Sequence, residues 1–196
     1  MRSASLALGL VAALAATSCA TPPSEMSAAP NPRVKFGKPI SNADIAAWDI
    51  DIRTSDGKGL PVGRGTVAEG KAVYDVKCAS CHGAEAKGGP VYGTMVGGIG
   101  SFKTTTRVLT PGSMYPYAPI LFDYTRRAMP MDNPQSLTAN EVYAVSAYLL
   151  NLNGIIPADA VMDQNTLPRV QMPNRNGFIV DDRPDTKAVR CMTNCK

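Results

Sequence analysis

The sequence predicts an all-α domain with long irregular extensions at its N- and C-terminal ends. Three observations predict it. Two capping boxes, Thr66-Val67-Ala68-Glu69 and Thr138-Ala139-Asn140-Glu141, each open an apolar stripe of helical period. A third, shorter stripe lies between them and ends in two arginines. The flanking segments are rich in glycine and proline and lack periodicity.

Along the chain, residues 1–20 read as an export signal: Arg2 supplies the positive start, and Leu6 to Ala16 is an apolar run too short to span a membrane. Ala16-Thr17-Ser18-Cys19-Ala20 then leaves two cleavage outcomes open. Cutting before Cys19 leaves a lipid-modified cysteine, the chain's single route to a membrane; cutting after Ala20 leaves a free chain. Residues 21–33, with Pro22, Pro23, Pro30 and Pro32, read as a flexible tether. Residues 34–65 carry Trp48 and little periodicity and read as an extended arm. Asp49, Asp51 and Asp56 miss the EF-hand spacing and read as turn residues.

The first strong helix starts at Thr66, with Val67, Gly70 and Tyr74 on one face. Residues 83–113 form a loop rich in glycine and threonine. Pro116 to Arg127 holds a short helix with Ile120, Leu121 and Tyr124 as its stripe. The second capped helix carries Val142, Val145 and Leu149, widened by Tyr143, Ala147 and Leu150. Leu137 and Val142 form its hydrophobic staple, and Asn153-Gly154 stops it. Residues 66–154 are therefore the central domain, and residues 155–196, with four prolines, a tail that wraps it.

Without its first 20 residues the chain keeps about 175, enough for one domain with extensions. The formal charge of +4 permits docking to an acidic partner. Nucleic-acid binding is not indicated, because Lys and Arg are dispersed and not interleaved with aromatics.

The chemistry resides in Cys78-Ala79-Ser80-Cys81-His82. Cys-x-x-Cys-His is the attachment pattern of a c-type haem. Both cysteines sit on one helical turn and each can form a thioether to a vinyl group, while the histidine ligates iron axially. His82 is the single histidine of the chain. A structural zinc site needs four ligands and a redox Cys-x-x-Cys expects a βαβ pattern around it; the sequence supplies neither. One motif implies one covalent haem c with its iron. Of the five cysteines, Cys191 and Cys195 remain. In an oxidising compartment they read as a disulfide, with a copper site of Cys191, Met192 and Cys195 as the alternative. Haem attachment and the export signal agree on the periplasm. Arg126, Arg127 and the tyrosines are candidate donors to the haem propionates, against solvated helix-end charge.

The order of parts, namely capped helix, haem motif, glycine-rich loop, short helix, Met-Pro and capped helix, resembles class I cytochrome c. The resemblance implies that the first and last helices cross at a glycine and an aromatic, with Gly70 and Tyr74 meeting Tyr143 or Tyr148. It makes His82 the proximal ligand, with the Pro90 carbonyl, or Gly88 or Gly89, accepting from its other ring nitrogen. It makes Met129, which precedes Pro130, the distal ligand, with Met131 as runner-up. Met/His ligation raises the iron potential, which suits electron transfer.

A closer resemblance covers about residues 45–195. Tyr115-Pro116-Tyr117-Ala118, Leu121-Phe122-Asp123-Tyr124, Arg126-Arg127-Ala128-Met129-Pro130 and Ser136-Leu137-Thr138 resemble the cytochrome subunit of periplasmic sulfite or sulfane dehydrogenase, the SoxD family. Asp56-Gly57-Lys58-Gly59-Leu60-Pro61 and Met172-Pro173-Asn174-Arg175-Asn176-Gly177-Phe178 extend the likeness outward. Tyr115 stands where that family leads one to expect Trp, and the single motif contrasts with family members that carry two haem domains. The resemblance implies a molybdenum-cofactor dehydrogenase subunit as electron donor and another cytochrome c as acceptor, with no catalysis by this chain itself. Three alternatives stand beside it: a carrier for a different periplasmic dehydrogenase, a haem enzyme such as a thiosulfate dehydrogenase or peroxidase, and a ligand-binding haem module.

Overall fold

A computed structural model describes residues 37–182. The export signal, the tether, Cys19, Cys191 and Cys195 lie outside the described residues. The chain divides into residues 1–41 and residues 42–196. Of the first unit only residues 37–41 are described, and they form no regular element.

Among its described residues the second unit is built on six α-helices: α1 (Asn42–Trp48), α2 (Val67–Lys77), α3 (Ala79–His82), α4 (Pro111–Met114), α5 (Pro119–Ala128) and α6 (Ala139–Leu152). Two three-residue strands, β1 (Arg64–Thr66) and β2 (Val161–Asp163), pair antiparallel with Gly65 opposite Met162. The all-α expectation holds for the domain, and this small ladder is added to it. Three residues are too few to show the alternation by which a strand is read from sequence. Residues 34–65 correct the reading of a wholly extended arm, because α1 lies within them. Its alanines favour helix, and Asp44 in the first turn complements the helix dipole.

Both capping boxes form. The Thr66 hydroxyl accepts from the Glu69 amide and the Glu69 carboxylate accepts from the Thr66 amide; Thr138 and Glu141 repeat the arrangement. A third box was not legible: Thr110 and Ser113 exchange the same pair of bonds at the head of α4, with Pro111 in the first turn. Serine replaces the usual Glu or Gln at the third position, and the run of Gly and Thr before it carries no period.

Nine consecutive residues of α6, Val142 to Leu150, are buried. A helix buried all round must be covered on every side. Covering it on one side is α2. A Cβ on Gly70 would lie 1.9 Å from the Ala144 carbonyl oxygen, so only glycine allows this approach. Gly65 does the same for β1, with its missing Cβ 2.2 Å from the Ala144 amide nitrogen. Tyr74 then meets Tyr148 at 5.4 Å between ring centroids, while Tyr143 packs on Phe122 of α5 at 4.4 Å. Of the two expected aromatic partners, the crossing uses Tyr148. Tyr143 instead donates its hydroxyl to the Pro61 carbonyl at 2.8 Å, tying residue 61 to the core.

The segment after α6 returns to this core. Ile156, Met162, Leu167, Val170 and Met172 are buried in the same cluster as Tyr74, Phe122 and Leu149. Asn153 closes α6: its side chain donates to the Leu149 and Met95 carbonyls and accepts from the Gly97 amide. No helix among the described residues is long and apolar enough to cross a membrane.

Candidate functional site

Cys78 ends α2, its amide bonded to the Tyr74 carbonyl at 2.9 Å, and at once begins α3. The single turn of α3 closes through His82 N–H to the Cys78 carbonyl at 3.0 Å. Cys78, Cys81 and His82 thus share one turn of helix. Gly83 follows with φ of 76° and no room for a Cβ, which would lie 1.9 Å from the Gly88 carbonyl oxygen. The Tyr74 hydroxyl donates to the Gly83 carbonyl at 2.9 Å, and the Gly88 amide donates to the His82 carbonyl at 3.0 Å. The turn is therefore held from α2 on one side and from the loop on the other.

These three residues open into a cavity of about 620 Å³. Val145 and Leu149 of α6, Leu121 and Thr125 of α5, and Thr110, Pro111 and Met114 at α4 supply its other walls. Cys78 and Cys81 stand half-buried at its edge, neither in a disulfide. Burial pushes the Cys78 thiol up to about 11 and pulls the His82 imidazole below its ordinary value. A neutral imidazole is the form that ligates metal. Met129 and Met131 both line the same cavity. Met129 caps α5, its amide bonded to the Thr125 carbonyl at 3.0 Å, and is half-buried. Met131 is 62 % exposed, and its sulfur accepts from the Tyr92 hydroxyl at 3.0 Å. Tyr92, which the sequence reading passed over, also stacks its ring on His82 at 5.1 Å. A lone aromatic in a glycine-rich loop has no local signal that would have singled it out.

Two expected contacts are not made. The Pro90 carbonyl does not accept from His82: Nδ1 is buried without a hydrogen-bond partner, and Pro90 is exposed. The loop turns back at Gly89, whose amide bonds the Tyr92 carbonyl at 2.9 Å, and Tyr92 rather than Pro90 covers the ring. Arg127 does not line the cavity. Its Nε donates to Asp123 at 2.8 Å, and its Nη2 donates to Asp51 and to the Ile50 carbonyl, both at 2.9 Å. The paired carboxylates hold the guanidinium above its ordinary value, with Asp123 the main cause. Arg127 therefore ties the arm to α5. An (i, i+4) Asp–Arg pair was visible in the sequence, but its third partner, Asp51, comes from a distant segment.

The donor set fits a haem and not a bare ion. Among the described residues no group of three or more His, Cys, Asp or Glu could hold a metal ion. The cavity lies within the size range of small-molecule and cofactor sites, about 300–1,000 Å³. Its lining is largely apolar, with two thiols and one imidazole on a single turn.

A family profile described as cytochrome c matches residues 67–153, which is α2 through the end of α6. No curated protein matches the chain. Among solved structures, the chain is similar to one in the sulfane dehydrogenase SoxCD from Paracoccus pantotrophus. The two are 37% identical, with a TM-score of 0.71, over 84% of this chain and 83% of that one.

Proposed function

We propose that this chain, which belongs to the cytochrome c family as a class I cytochrome c resembling SoxD, carries electrons from a molybdenum-containing sulfur-compound dehydrogenase to a second cytochrome. Haem c, when bound, supplies a one-electron change at its iron. Cys78 and Cys81 would hold it covalently, and His82 would supply a ligand to its iron. Met129 is the distal ligand: it is the half-buried methionine of the pair, while the Met131 sulfur is already engaged by Tyr92. With one Cys-x-x-Cys-His in the sequence, the chain holds one haem. The chain works outside the inner membrane, where its haem is attached, and reaches a membrane through Cys19 if it reaches one at all.

The observation that carries the electron-transfer reading is the convergence of Cys78, Cys81, His82 and Met129 on one cavity. The sulfur reading rests on the similarity to a chain of sulfane dehydrogenase. If His82 and Met129 both serve as ligands, no open position would be left for a substrate, which supports a carrier over an enzyme in its own right. The test is isolation of the full chain from its native periplasm, followed by addition of a sulfane or sulfite substrate. Co-isolation of a molybdenum protein and rapid bleaching of the oxidised haem spectrum are expected. A different dehydrogenase in the isolate keeps the carrier and overturns its sulfur donor. Turnover by the purified chain alone overturns the carrier.

A further inference from the structure

Ligation through one ring nitrogen leaves an imidazole free to turn unless something else holds it. In the usual arrangement the other nitrogen donates to a carbonyl or a carboxylate, which fixes the ring. His82 makes no such bond, because its Nδ1 is buried without a partner. The ring has a flat neighbour instead. Tyr92 lies 5.1 Å away between centroids with the two planes 24° apart, inside the range of about 4.5–7 Å at which offset aromatic rings stack.

Tyr92 is itself fixed at both ends. Its backbone belongs to a loop that folds back on the turn of α3. The Gly88 amide bonds the His82 carbonyl at 3.0 Å, the Gly89 amide bonds the Tyr92 carbonyl at 2.9 Å, and the Met95 amide bonds the Ala86 carbonyl at 2.8 Å. At its far end the Tyr92 hydroxyl donates to the Met131 sulfur at 3.0 Å. Thioether sulfur is a weak acceptor, so this bond orients the ring more than it stabilises the fold. Met131 stands two residues after Met129, in a turn closed by the Asn133 amide on the Pro130 carbonyl at 3.0 Å. Tyr92, His82, Met129 and Met131 all line the large cavity. One side chain thus joins the segment of His82 to the segment of Met129. Tyr92 is half-buried and lies outside the buried core cluster, so the core does not depend on its ring.

We propose that Tyr92 is a positioning residue for the haem: its ring sets the angle of the His82 imidazole, and its bond to Met131 holds that ring in place. The inference rests on the haem reading above. Groups around a ligating histidine orient it and tune the metal through it. The angle of an axial imidazole decides which iron d orbital its π system meets, and so the splitting among those orbitals. A fixed ring gives one splitting, and a ring free to turn gives a spread.

Low-temperature electron paramagnetic resonance of the oxidised, haem-loaded full chain reads that splitting. The wild type is compared with Tyr92→Leu, Tyr92→Phe and Met131→Leu, and the methionine-to-iron charge-transfer band is followed in each as a check on the distal side. Tyr92→Leu removes the stack, so the largest g value shifts and its line broadens while the band stays. Tyr92→Phe keeps the ring and loses its anchor, so the g value stays and the line broadens. Met131→Leu removes the same bond from its other end and reproduces the Tyr92→Phe spectrum, and the double variant goes no further than either. These two variants keep the stack, so they test the anchor even where Tyr92→Leu takes up no haem. A wild-type spectrum from Tyr92→Leu, whatever its melting temperature, shows a structural residue and overturns the proposal. Loss of the charge-transfer band in Tyr92→Leu moves its action to the distal ligand and also overturns it. A Met131→Leu line as sharp as that of the wild type overturns the anchor on Met131. Absence of covalent haem from the wild type would instead sink the haem reading itself, an outcome seen before any variant is made.

Discussion

Helix α6 has two unlike faces. Toward α2 and β1 it is sealed: Ala144 receives the bare backbones of Gly65 and Gly70, and Tyr148 packs on Tyr74 with no exposed surface between them worth noting. Toward α4 and α5 the same helix turns Val145 and Leu149 to a cavity of about 620 Å³. On the sealed face the protein completes its own packing. On the open face it supplies walls and leaves the filling to a group that Cys78, Cys81 and His82 can hold. One helix therefore carries both the stability of the fold and the shape of the site. A change on either face should be felt in a different measurement.

The strongest way to break the sealed face is Gly70→Ala. Its methyl group would meet the Ala144 carbonyl, a backbone atom that cannot step aside, so the two helices must separate. Overpacking costs about 1–3 kcal/mol and occasionally more, and a clash with backbone belongs at the upper end; it is read as a lower denaturant midpoint of the haem-loaded protein. An unchanged midpoint would show that the crossing is looser than its geometry. Next in size is a pair that sharpens the contrast between faces. Leu150→Ala should cost roughly 2–5 kcal/mol whether or not haem is attached. Leu149→Ala, equally buried but facing the cavity, should cost clearly less in a haem-free Cys78→Ala/Cys81→Ala protein than in the loaded one. Equal costs in both forms would mean that Leu149 packs on protein alone.

On the open face, Met129→Ala should abolish the methionine-to-iron charge-transfer band of the oxidised protein and lower its potential, while Met131→Ala leaves the band in place. The reverse result would assign the ligand to Met131. The smallest effect tests the caps that start both helices of the sealed face. Thr138→Ala should cost about 1 kcal/mol in unfolding free energy. Its partner Glu141 has its carboxyl held below the ordinary value of 4.5, chiefly by Lys77 and then by the Thr138 amide. A lowered folded-state pKa contributes stability that is present above the unfolded value and lost as pH falls through the folded one. Stability should therefore decline below about pH 4.5, and Glu141→Gln should flatten that acid limb, as followed by thermal melts at stepped pH.

What could be read from the sequence follows the same division. The capping boxes and the haem turn are short-range patterns, so Thr66, Thr138, Cys78 and His82 stood out by spacing alone. Gly70 and Tyr74 were placed on one face by helical period, and the resemblance to class I cytochromes supplied what they would meet. The open face depends on contacts between distant segments, and there the reading thinned. Arg127 was a candidate because a guanidinium offers several donors to a carboxylate, yet it meets the carboxylate of Asp51 from the arm. Pro90 was assigned by analogy, yet Tyr92 covers His82. Asn153 read as a helix stop, and its role as a clamp on Met95 and Gly97 became visible only in three dimensions.

The crossing of α2 with α6 also has a consequence in time. A chain that emerges from its N-terminal end exposes Cys78 and Cys81 well before Ala139 begins the helix that α2 must pack against. Until α6 is present, the face of α2 that carries Gly70 and Tyr74 lacks the helix it packs on, so the fold around Cys78 and Cys81 closes only once Ala139 to Leu152 is in place.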